Sequence, residues 1–95
     1  MSGDSKIDIA LKRIAADPRI TVWHISLYAA ILHRWFENDF KTSFCISRNK
    51  LMKFAHIGSI ATYHKCVKQL IDYGYIDYFP SYNPFIGTTI FLQIE

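Results

Sequence analysis

The stretch 47–74, SRNKLMKFAHIGSIATYHKCVKQLIDYG, decides how this chain folds. Ser47 is a good helix N-cap, and behind it Leu51, Phe54 and Ala55 form an inward stripe while Arg48, Asn49, Lys50 and Lys53 point outward. His56-Ile57-Gly58 breaks that helix after about two turns. Ser59 then caps a second helix, which runs to about Tyr73 and stops at Gly74. Tyr63, Cys66, Val67 and Leu70 fall on one side of it, and Ile60, Ala61, His64, Lys65 and Lys68 on the other. The reading is therefore two short helices joined by a tight connection, the second with a basic outer face.

Working outward toward the C-terminus, 75–79 and 88–94 alternate apolar and polar residues, with Ile90, Leu92 and Ile94 on one face. They predict a two-stranded antiparallel hairpin over 75–94, and the connection between the strands holds Pro80, Pro84 and Gly87. Toward the N-terminus, 43–46 reads as a very short strand and 38–42 as a loop. Asp17-Pro18 announces a helix that begins there or a turn later, near Thr21, and ends about Glu37. Its apolar residues Trp23, Ile25, Leu27, Tyr28, Ile31, Leu32, Trp35 and Phe36 cover more than half of the circumference, leaving Ser26, His33 and Glu37 as a polar strip. Such a helix needs cover on two sides, from the first helix, the body of the domain or a second subunit, and the width of its apolar arc predicts self-association into a homodimer. An amphipathic helix over 5–16, with Ile7, Leu11 and Ile14 inward, precedes it.

At 95 residues, 51% of them hydrophobic and 16% aromatic, the chain reads as a single domain over 1–95 with a true core. That length excludes barrel and two-lobed enzymes. No apolar run approaches the roughly 18–20 residues of a membrane span, and the first residues lack the apolar stretch of a secretory signal, so a cytoplasmic protein is expected. Cys45 and Cys66 have no paired spacing and read as buried reduced thiols. The four histidines form no ligand motif, and His24, set in an apolar arc, reads as a hydrogen-bonded core residue. No catalytic signature and no phosphate-binding glycine loop is present, so neither an enzyme, a metal site nor a cofactor is expected.

Charge is segregated. The net charge is +3, yet 40–71 holds Lys41, Arg48, Lys50, Lys53, Lys65 and Lys68 and no acid, while the rest of the chain carries five basic residues against eight acidic ones. One surface thus attracts a polyanion or is simply a lysine-rich solvated face, and the remainder is mildly acidic; which elements carry the charges decides between the two.

The order of these elements, with Ser59-Ile60-Ala61-Thr62-Tyr63, Leu70 and Gly74-Tyr75-Ile76, resembles the winged helix-turn-helix domains of GntR-like and MarR-like regulators over 21–94. The turn His56-Ile57-Gly58 is a residue longer than the commonest form. The segment 62–92 is also similar to small winged-helix proteins of bacterial integrative and conjugative elements. The resemblance implies an α+β winged helix, a helical bundle with a C-terminal hairpin wing and an extra N-terminal helix. It also implies double-stranded DNA as partner, with a role in transcription regulation or as an accessory factor in excision or transfer of a mobile element.

In that geometry the second helix of the motif enters the major groove. His64, Lys65 and Lys68 would meet base edges or phosphates, and Ile60 or Ala61 a thymine methyl. Ser59 and Thr62 suit phosphate at the helix N-terminus, and Arg48, Lys50 and Lys53 would clamp the backbone. The wing carries no Lys or Arg between Pro80 and Gly87. Tyr82, Asn83 and Phe85 are left with two roles: contact with the DNA backbone or groove, or contact with the hairpin or a protein partner. The alternative function is accordingly a protein-interaction module of a replication or recombination assembly.

Overall fold

A computed structural model describes residues 3–80 and 87–93. Four helices, α1 (Gly3–Ala15), α2 (Val22–Glu37), α3 (Arg48–Ala55) and α4 (Ile60–Asp72), pack with three short strands, β1 (Ser43–Ile46), β2 (Ile76–Phe79) and β3 (Thr88–Leu92). The architecture is α+β.

The helix boundaries have local causes. Ser47 Oγ accepts from the Lys50 backbone N–H (3.2 Å) and Ser59 Oγ from that of Thr62 (3.3 Å), satisfying donors that the first turns of α3 and α4 leave free. Where α2 starts, the Thr21 backbone N–H donates to His24 Nδ1 (2.9 Å), the reciprocal half of a capping box supplied here by histidine. α3 ends because His56 takes a left-handed conformation (φ 57°), which turns the chain so that Ile57 enters the core. α4 ends at Gly74 (φ 82°), with the Tyr75 N–H bonded back to the Leu70 carbonyl (2.9 Å).

The sheet is antiparallel in the order β1-β3-β2. It has three strands rather than the two expected of the hairpin. The strand foreseen at 43–46 pairs with the free edge of β3, Phe44 opposite Ile90 and Ile46 opposite Thr88, so the middle strand has hydrogen-bonding partners on both sides. Gly87 (φ 75°) opens β3 where its Cα passes so close to β1 that a Cβ would lie 3.1 Å from the Ile46 carbonyl.

Leu27, Ile31, Leu51, Leu70, Ile76 and Ile90, with Tyr28, Tyr63 and Tyr75, make the center of the core. Tyr63 and Tyr78 join hydroxyls at 2.9 Å, tying α4 to β2. Burial, with that bond, pushes the Tyr63 hydroxyl far above its ordinary range. The Tyr28 hydroxyl is buried without a partner among the described residues, and burial pushes its pKa up to about 12.

α1 is fastened by Arg13, which donates to the carbonyls of Gln93 (2.6 Å) and Gly74 (3.1 Å) and lies over the Tyr75 ring. Asp17 accepts from the Arg19 backbone and guanidinium and from the Tyr75 hydroxyl. The Arg19 side chain beside it holds the Asp17 carboxyl well below the usual carboxylate range.

Several inward assignments are corrected. Ala10 and Ile14, with Ile7 partly buried, line the inner face of α1, and Leu11 is exposed, because α2 meets the 7-10-14 line. Phe54 of α3 is exposed and stacks on His33 of α2 with ring centroids 5.0 Å apart. Cys45 lies on the exposed side of edge strand β1, while Cys66 is buried and its thiol pKa raised by that burial.

Candidate nucleic-acid interface

α4 is anchored by Tyr63, Cys66, Val67 and Leu70, all buried as the periodicity requires. With that side fixed, helical geometry turns Ile60, Ala61, His64, Lys65 and Lys68 outward, and all five are exposed; Thr62 is half-buried. Asp72 and Ile71 finish this face at its C-terminal end. The first acid along the outward side is thus three turns from Ile60. The His64 ring meets the Tyr63 ring edge-on (5.4 Å), which gives the imidazole a fixed seat on the surface.

Arg48, Lys50 and Lys53 are exposed on α3 but do not form one cluster. Arg48 is the first residue of α3, next to the Ser47 cap. Lys50 instead lines a cleft of about 250 Å³ with Glu37, His33, Arg34, Ile46 and Phe54, on the α2 side. Of the six basic residues of 40–71, none takes part in an ion pair among the described residues; those pairs use Lys12, Arg19, His33 and Arg34. Ser59 is exposed, but its oxygen is committed to the cap, so only its hydroxyl proton is available to an acceptor. Tyr82, Asn83 and Phe85 lie outside the described residues.

Sequence periodicity missed one wall of this surface. A cleft of about 260 Å³ between α4 and the start of α2 is lined by Thr62, Lys65, Cys66 and Gln69 on one side and Arg19, Thr21, Trp23 and His24 on the other. His24 is almost fully buried, and its Nε2 lies 2.7 Å from Gln69 Oε1. Since Nδ1 accepts from Thr21, Nε2 carries the proton and donates to Gln69. This is the hydrogen-bonded histidine anticipated from its apolar arc, and its partner lies 45 positions away. Arg19 lies over the Tyr73 ring at 4.1 Å, which brings a guanidinium to the flank of α4 that no local pattern announces.

Among the described residues, no group of three or more His, Cys, Asp or Glu side chains is placed to hold a metal ion. No described helix is long and apolar enough to cross a membrane. No protein-family model, curated protein or solved structure matches the chain.

Proposed function

We propose that this protein is a winged-helix, sequence-specific binder of double-stranded DNA, acting as a small transcriptional regulator or as an accessory factor of a mobile element. The observation that carries the reading is the outer face of α4. His64, Lys65 and Lys68 are exposed on a helix whose opposite side is locked in the core, with no acid before Asp72 and no ion pair among the described residues. A helix of 13 residues is about 20 Å long and fits the major groove, which is about 12 Å wide. In this reading His64 and Lys65 meet base edges, Lys68 and Arg48 hold phosphates beside them, and Ile60 or Ala61 contacts a thymine methyl. Thr62 and Arg19 flank the groove-facing side. Lys53, exposed on α3, meets phosphate at the edge of the contact, and Lys50, on the α2 side, adds long-range attraction.

Selection of bound sequences from random duplexes, followed by titration at several salt concentrations, tests the proposal. Contact with about four to six phosphates makes log K fall against log[salt] with a slope of roughly −4 to −5. Absence of duplex binding at low salt, or a slope near zero, refutes it.

A second reading, a protein-interaction module, draws on the apolar side chains left in solvent: Val22, Phe36, Phe54 and Phe79 are each about half exposed or more. The same selection separates the two, since a protein module enriches no duplex.

A further inference from the structure

Arg19 and Trp23 lie outside α3 and α4, yet both stand beside the groove-facing helix. The Arg19 guanidinium is fixed: its Nε and Nη2 donate to the Asp17 carboxylate (2.9 and 2.7 Å), and it lies over the Tyr73 ring at 4.1 Å. Its Nη1 is left without a hydrogen-bond partner among the described residues. An arginine held in this way has already lost most of the rotamer freedom that binding would otherwise remove. Trp23 is 47% exposed, and its indole N–H also has no partner among the described residues. Trp35, by contrast, is buried and donates its indole N–H to the Lys41 carbonyl (3.0 Å). A tryptophan half in solvent with a free donor suits a ligand that offers an apolar patch beside an acceptor.

Both residues line the cleft of about 260 Å³ whose other wall is α4, through Thr62, Lys65 and Gln69. Those three are spaced 3 and 4 apart and form the flank of α4 next to the outward His64 and Lys68. Lys65 belongs to both sides. Among the described residues no acid lines the cleft, and Asp17 is committed to Arg19 and to the Tyr75 hydroxyl (2.8 Å). The first turn of α2 carries no acid either, and its backbone N–H groups add to the positive potential at this end of the cleft.

We infer that this cleft seats the sugar-phosphate backbone of one DNA strand, with Arg19 Nη1 donating to a phosphate oxygen and the Trp23 ring lying against the neighbouring deoxyribose. The inference rests on the DNA reading and adds to it a contact outside α3 and α4. The choice of occupant follows from widths. An α-helix with its side chains is about 10–12 Å across and the major groove about 12 Å wide, so a helix lying in the groove fills it and the two backbones pass along its flanks. On the α2 side that flank is the cleft. Lys65, shared by the outer face and the cleft, marks the line where base edges give way to phosphates. Because Asp17 offsets the Arg19 charge, Arg19 contributes a directed bond more than long-range attraction, and a bond to the backbone carries no sequence information.

Anisotropy of a labelled duplex reads binding, and acrylamide quenching of the protein's own tryptophan emission reads Trp23, since Trp35 is buried. In the wild type, saturation with the selected duplex should at least halve the quenching constant; Trp23→Phe, in which only Trp35 remains, should show no such change. Arg19→Gln and Trp23→Ala should each weaken the selected and the scrambled duplex by the same factor, about five- to tenfold, the worth of one hydrogen bond or a comparable packed contact. Urea midpoints check that both variants fold; where Arg19→Gln is destabilised by loss of its bonds to Asp17, Trp23→Ala decides. Duplex binding that leaves Trp23 as quenchable as in the free protein, or folded variants with unchanged affinities, overturns the inference while the DNA reading stands. A change in the ratio of the two affinities makes the contact a base contact and overturns it as well. A wild type that binds no duplex removes both.

Discussion

Replacing His24 probes the joint on which the position of α4 depends. The imidazole is 2% exposed, accepts from the Thr21 backbone N–H at 2.9 Å and donates to Gln69 Oε1 at 2.7 Å. Each bond contributes about 1 kcal/mol net, and emptying the volume of a ring this well buried adds on the order of 1–3 kcal/mol. His24→Ala is therefore expected to cost roughly 3–5 kcal/mol. His24→Phe keeps the ring volume and loses both bonds; Gln69 is only partly buried and can turn to water, so the cost falls to about 1–2 kcal/mol. For a chain of this length 3 kcal/mol lowers Tm by roughly 12–24 °C. Urea unfolding followed through buried Trp35 measures both variants against the wild type. A loss under about 1 kcal/mol for His24→Ala would show that the Thr21-His24-Gln69 chain is not formed in solution, and equal losses for the two variants would refute the division between cavity and hydrogen bonds.

Three further outcomes are expected. Lys65→Ala should narrow the gap between selected and scrambled duplexes by about 1–3 kcal/mol, whereas Lys53→Ala should weaken both about equally and flatten the salt slope by about one unit; titrations with both duplexes decide, and an unchanged ratio for Lys65→Ala rejects it as a base-reading residue. Tyr28→Phe removes a buried hydroxyl that has no partner among the described residues and should leave stability unchanged or raise it by up to about 2 kcal/mol in urea unfolding, with a loss above about 1 kcal/mol contradicting the orphan assignment. Because the hydroxyls of Tyr28, Tyr63 and Tyr75 titrate above 10.0 in the folded chain, the unfolded chain loses those protons first. Their contribution to stability is complete below pH 10 and declines as the pH rises through 10 toward 12; unfolding free energies that stay level from pH 9 to 11.5 would rule this out.

Features with short-range causes were legible in the residues. The caps at Ser47 and Ser59 and the stop at Gly74 involve atoms within a few positions of each other, and the sequence specifies them directly. The inner and outer sides of α4 were legible for a related reason: its large apolar residues occupy one narrow arc, so only one orientation buries them. The exposed set Ile60, Ala61, His64, Lys65 and Lys68 follows from that single choice.

α2 behaves differently. With apolar residues around more than half of its circumference, periodicity assigns each one an angle but does not say which angles meet another element. Tertiary packing covered Leu27, Tyr28, Ile31, Leu32 and Trp35 and left Trp23, Ile25 and Phe36 in solvent. It also turned the expected polar strip toward α3, where Ser26 donates to the Ala55 carbonyl and His33 stacks on Phe54. The spacing within α3 alone points Phe54 inward, but α2 seats it outside the core, against His33. The pairing of β1 with β3, the bond from His24 to Gln69 and the approach of Arg19 to Tyr73 join residues tens of positions apart. Such contacts depend on where whole elements settle once the core closes, and no local spacing encodes that. The basic character of the surface was therefore determined by the sequence, while the seat of Lys50 beside α2, and the arrival of Arg19 and Trp23 at the flank of α4, were decided by the packing of one helix on another.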